Sequence, residues 1–171
     1  MKNVGKAVML WLRGIIFSIV VPGTVAVLVP QRLRQGSEAA TGWWQLGWLL
    51  LAGAILMYLR CLLSFLASGG TPAIFFVGPL RFVLGEEPRV LVRGGLYRFS
   101  RNPMYLSVLT AIVAQAMIYK SANIATYAAA TAVAFHLVVV LIEEPHLARE
   151  RGLEYGQYCR RVPRWLGWPR A

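Results

Sequence analysis

The chain has no aspartate. Glutamate supplies all 7 of its acidic side chains, against 18 lysines and arginines, so carboxylates are scarce and their positions are informative. Its two cysteines, Cys61 and Cys159, cannot build a framework of disulfides and lack zinc-ligand spacing. The two histidines, His136 and His146, add no ligand cluster, and four-ligand structural metal sites need one. No metal is therefore expected. No internal repeat or low-complexity tract is visible, which excludes solenoid and propeller architectures.

Polar sequence is also in short supply. Hydrophobic residues make up 57% of the chain and the mean hydropathy is +0.55, where a soluble domain has an apolar share of about 45–50%. The 171 residues leave room for about one domain by the usual length prior, and 1–171 is read as a single membrane domain. Four stretches approach the roughly 20 apolar residues that cross a hydrocarbon core. They run over about 7–29, 43–66, 104–119 and 122–142, the third being short. The fold class expected is all-α: a multi-pass membrane protein with about four transmembrane helices and a C-terminal cytoplasmic helix. Residues 1–28 could be read as a cleaved signal peptide, but Arg13 interrupts the apolar core and the run outlasts the usual length.

A net charge of +11 could suggest a nucleic-acid partner, but the placement of the charges argues for a membrane. With four spans, the N-terminus, the loop 67–103 and the tail 143–171 share one side. That side carries Lys2, Lys6, Arg81, Arg89, Arg93, Arg98, Arg101, Arg149, Arg151, Arg160, Arg161, Arg164 and Arg170, while Arg32, Arg34 and Lys120 face the other. An asymmetry of 13 to 3 follows the positive-inside rule and puts both termini and the long loop in the cytoplasm. The lipid bilayer is then the expected partner and nucleic acid is not; oligomeric state is not legible.

Ser68-Gly69-Gly70-Thr71-Pro72 ends the second span, and the connection onward to Pro103 is long enough to be functional. Only Lys120 and Ser121 separate the third and fourth spans, which predicts a tight antiparallel hairpin. After Glu143 and Glu144, Pro145 suits the first turn of a helix running to about Arg161, with Pro163 beyond it. The hairpin returns the chain to the side it left, so Asn102 and Glu143 are expected near one membrane face.

Two constellations stand there. In Leu91 to Tyr105, Gly94 and Gly95 permit close backbone approach to a ligand, and Asn102-Pro103 opens a helix whose free amides face the loop; a turn with a basic anchor is the plainer reading. The second begins with the Glu143–Glu144 pair, which closes a run of 21 uncharged residues, Ala122 to Ile142. Two like charges at the negative end of a helix dipole call for a cation nearby, and carboxylates at a membrane boundary are functional by default. Beyond them Tyr155 and Tyr158 share a helix face, as a surface helix with its tyrosines on lipid headgroups also would. His136, seven residues before Glu143, is expected on nearly the same face two turns deeper, where satisfying a carbonyl is its ordinary role.

Together the segments resemble the membrane methyltransferases that include isoprenylcysteine carboxyl methyltransferases and phospholipid methyltransferases. The resemblance rests on Gly95-Leu-Tyr97, Arg101-Asn-Pro-Met-Tyr105, Glu143-Glu144, Leu147, Gly152, Tyr155, Tyr158 and Val162-Pro-Arg164, roughly the C-terminal half, with Gly70-Thr71-Pro72 similar to the loop after span two in bacterial members. It implies methyl transfer from S-adenosyl-L-methionine to a lipophilic or small-molecule acceptor at the cytoplasmic membrane face. Its cofactor-binding residues would be Arg89, Leu91, Val92, Tyr97, Asn102, Pro103, Met104, Tyr105, Glu143 and Glu144, and its catalytic residues Asn102, Glu143 and Arg164. Two departures are visible. Asn102 stands where many members have histidine, and Val139 and Val140 occupy the neighbourhood in which the prenylcysteine enzymes carry an arginine thought to hold the substrate carboxylate. A phospholipid or amine acceptor, a small thiol or isoprenoid acceptor, and a non-enzymatic membrane scaffold are the readings the sequence leaves open.

Overall fold

A computed structural model of the chain describes residues 2–34, 44–72, 88 and 90–169; the expectations for Trp43, Arg89 and the middle of the loop 67–103, residues 73–87, fall outside these. The described residues are all helix, turn and extended connection, with no strand among them. The first rod consists of α1 (Lys2–Gly23), a π-helical turn (Thr24–Leu28) and α2 (Val29–Leu33), longer than the 7–29 read from sequence. Next come α3 (Trp44–Ala67), a 3₁₀ turn (Gly95–Arg98) and α4 (Pro103–Ile118). The last rod is α5 (Ala122–Val138), a second π-helical turn (Val139–Glu143) and α6 (Glu144–Arg161).

Among the described residues, three helical stretches are long and apolar enough to cross a membrane: Val8–Leu33, Trp44–Ala67 and Ala122–Arg161. The chain is a multi-pass all-α membrane protein. The fourth apolar helix, α4, is 16 residues, or about 24 Å at 1.5 Å per residue, somewhat less than the hydrocarbon thickness. It packs along α3, and glycine permits the close approach: a Cβ on Gly47 would sit 2.7 Å from Ile118 Cγ1 and 3.2 Å from the Ala114 carbonyl. At the far end the chain reverses at Lys120, whose φ is 45°, and Ser121 caps α5 by accepting from the Ile124 amide. The tight hairpin expected from sequence is thus present, with three residues, Tyr119 to Ser121, between the helices in place of two.

Both π-helical turns adjoin a proline, Pro22 before the first and Pro145 after the second. A π turn frees backbone carbonyls that hydrocarbon cannot satisfy, and side chains from neighbouring helices supply the donors. Gln115 of α4 reaches the Ala26 carbonyl at 2.6 Å, and Tyr127 of α5 donates to the Val25 carbonyl at 3.0 Å. Around them Ala26, Val108, Ile112, Ile124 and Ala128 form the main buried cluster.

The last rod is not straight. Gly152 sits at φ 46°, ψ −120°, a conformation glycine alone adopts readily, and the chain bends there. Past the bend Tyr155, Tyr158 and Val162 bury against Leu147, with Leu91 packed beside them.

Candidate functional site

The segment before α4 is gripped from two sides. Tyr97, on the 3₁₀ turn, buries against Cys61 and Phe65 of α3, with an edge-to-face ring contact to Phe65 at 5.6 Å between centroids. From the other side Tyr158 donates to the Tyr97 carbonyl at 2.7 Å. Four residues further the chain is tied to the C-terminal segment: the Arg101 amide donates to the Pro163 carbonyl at 3.0 Å, and Asn102 Nδ2 to the Arg164 carbonyl at 2.9 Å. The Asn102 amide is held in turn by Ser100 Oγ at 3.0 Å. The first residues of α4, the 3₁₀ turn and the C-terminal segment are thus one assembled face.

The two glutamates that close the apolar run part company here. Glu143 is 8% exposed and shares a side-chain hydrogen bond with Tyr105 of α4. Glu144 turns the other way, into arginines. Arg164 meets it with both forks, Nε to Oε1 at 2.7 Å and Nη2 to Oε2 at 2.9 Å, and Arg101 Nη1 lies 2.9 Å from Oε1. The same Arg101 nitrogen is 2.8 Å from Cys159 Sγ and 3.4 Å from the Tyr155 hydroxyl. The pairing with Glu144 raises the pKa of the Arg164 guanidinium above the ordinary arginine value. The cation that the sequence called for beside the glutamates is therefore, for Glu144, supplied by the protein itself.

The expected alignment of His136 with Glu143 does not hold. Seven residues of α-helix return to within about 20° of the starting face, but the π turn between them widens the repeat to i→i+5 and costs about 100° of phase. His136 is exposed and accepts a hydrogen bond at Nδ1 from Trp165 Nε1 at 3.2 Å, whereas Glu143 is turned inward.

A cavity of about 320 Å³ lies between these groups, within the range of small-ligand sites. At one end it is walled by Leu91, Val92, Tyr97, Asn102, Met104, Tyr105, Glu143 and Glu144, with Arg101 and Arg151. At the other it runs between the membrane helices, past Phe17, Val21, Val25, Tyr58, Phe135 and Val138. Of the ten cofactor-binding residues expected from sequence, all but Arg89 and Pro103 line it directly, and so do Leu147, Tyr155 and Tyr158. Pro103 is buried at the start of α4, and Arg164 acts through Glu144 and the Asn102 clamp. Arg89 lies outside the described residues. Sequence reading missed Arg151, which donates to the Pro88 carbonyl at 2.6 Å, and the contribution of α1. Burial, then the neighbouring Cys61 and Glu143, push the Tyr97 hydroxyl well above the ordinary tyrosine range, so it stays protonated as a donor.

The donor set suits a cationic nucleoside-like ligand: a buried carboxylate facing tyrosines and an amide, closed in by aliphatic side chains. In comparisons with known proteins, the family described as phospholipid methyltransferase matches residues 47–152, more than half of the chain. No curated protein and no solved structure matches it.

Proposed function

The chain belongs to the phospholipid methyltransferase family, and from that premise we propose that this membrane methyltransferase uses S-adenosyl-L-methionine to methylate a lipophilic or small acceptor at the cytoplasmic membrane face. The observation that carries the reading is the single cavity with two characters, carboxylate and tyrosines at one end and apolar helix walls at the other.

In this reading Glu143 binds the cationic part of the cofactor, Tyr97 and Tyr105 shape its polar pocket, and Leu91, Val92 and Met104 cover the adenosine. The sulfonium supplies an already activated methyl group. What the protein adds is alignment of the acceptor with that methyl and exclusion of water. Asn102 and Arg164 act together, one holding the C-terminal segment by its backbone and the other fastening it to Glu144. The acceptor reaches the site along the apolar half of the cavity. Val139 lines the wall there and carries no charge, which favours a phospholipid or amine acceptor over a prenylcysteine carboxylate.

Titration calorimetry of the purified chain with S-adenosyl-L-methionine tests the cofactor assignment. Glu143→Gln should abolish the binding heat, while Glu144→Gln should weaken it and loosen the C-terminal segment; unchanged binding in Glu143→Gln would overturn the assignment. Transfer of labelled methyl into total membrane lipid, set against soluble metabolites, then identifies the acceptor class. Failure to label either would support a scaffold.

A further inference from the structure

The segment after α6 has an unusual surface. Leu166 is 80% and Trp168 83% exposed, the most exposed apolar side chains outside the helical rods among the described residues. Trp168 is not loose: it meets Phe99 edge-to-face at 5.9 Å between ring centroids. Trp165 sits on His136, seven residues before Glu143 and so about 10 Å back along the rod toward mid-span. His136 belongs to the outward wall of α5, where Val133, Leu137 and Leu141 are also exposed. A segment that packs on that wall lies against the acyl-chain side of the protein and not out in water. Arg160 and Arg161, next in sequence to this segment, and Arg98, next to Phe99, are exposed. Tryptophan backed by arginine matches the boundary between hydrocarbon and anionic headgroups.

We propose that Val162 to Trp168 is an interfacial strap that seats on an anionic lipid surface. The seated strap holds Arg164 on Glu144. Its aromatic side chains enter the boundary layer beside α5, and Arg98, Arg160 and Arg161 face the lipid phosphates. Seating is transmitted inward because the strap is stitched to the cavity wall at Arg101, Asn102 and Glu144. The seating itself stands apart from any assignment of the cavity's ligand, and only its effect on the site rests on the proposed function.

The test uses the full chain in phosphatidylcholine vesicles with and without phosphatidylglycerol. The emission of Trp168 is isolated by subtracting the spectrum of Trp168→Phe. The seated strap gives blue-shifted emission, quenched by brominated acyl chains and shielded from aqueous iodide, and phosphatidylglycerol strengthens the effect. Replacing Arg160 and Arg161 by glutamine should shift the seated-to-lifted ratio about fivefold per residue removed. Quenching by iodide and not by brominated lipid would overturn the proposal, since the strap would then be in water or beneath a protein partner. Equal seating with and without phosphatidylglycerol would overturn the anionic assignment. Neither readout depends on methyl transfer, so failure here is distinguishable from failure of the enzyme reading.

Discussion

Adjacent residues of one type end up with unlike tasks, and a two-variant comparison separates them. Glu144 accepts from two guanidinium groups, and charge-assisted bonds of this kind contribute about 1–3 kcal/mol each when partly buried. Glu144→Gln should therefore lower the unfolding free energy by about 1–3 kcal/mol, and a double-mutant cycle with Arg164→Gln should give a coupling of similar size. Glu143→Gln, beside Tyr105, should cost less stability and more ligand affinity. Tyr97 supplies a pH signature. Its hydroxyl pKa is raised by burial above the unfolded value of about 10, so folding favours the protonated form. That stabilisation is complete below about pH 10 and is lost as the pH rises beyond it. Detergent-phase melting of the wild type should fall in alkali, and Tyr97→Phe should flatten the fall. The sequence could nominate both glutamates but not divide them, because which one faces Arg164 depends on helix phase.

Phase is set at the level of the element. The boundaries read from hydropathy, 104–119 and 122–142, lie close to α4 and to the apolar part of the last rod, since the lipid-crossing runs are long and uninterrupted. The π turns were not legible: one extra residue per turn leaves composition untouched but rotates everything beyond it. That is why His136 was misassigned to the face of Glu143. Deleting Val140 should convert the second π turn to α-helix and preserve helicity by circular dichroism; the residue removed and the turn tightened offset each other at about 100° each, so Glu143 should stay on the cavity and ligand binding should survive. Gln115→Leu should leave the Ala26 carbonyl without its donor and cost about 1–2 kcal/mol in a detergent melt. The helix contact at Gly47 is equally exacting. Gly47→Val should destabilise by about 1–3 kcal/mol through overpacking against Ile118.

The whole molecule is polarised along the membrane normal. The cavity, the arginine-bound glutamate and the exposed Trp168 gather at one end, while the other has the turn at Lys120 and Arg34 stacked on Tyr119 at 4.3 Å. The topology we propose from the positive-inside rule puts the cavity end in the cytoplasm, so reporters fused to either terminus should both read as cytoplasmic; a split result would break the four-span topology. That proposed polarity rests on the sorting of basic residues by loop; the meeting of α1 with the site was not legible, as nothing in Phe17 or Val21 distinguishes a cavity wall from a lipid-facing surface. On the proposed function, the tight hairpin at the far end sets the acceptor's path. The polar groups of the cavity lie at the opposite end, so a long-chain acceptor in the distant leaflet is not presented to them directly. It must first cross the bilayer by itself or by another carrier, so methylated lipid should build up asymmetrically, at a rate that transbilayer exchange and not catalysis comes to limit.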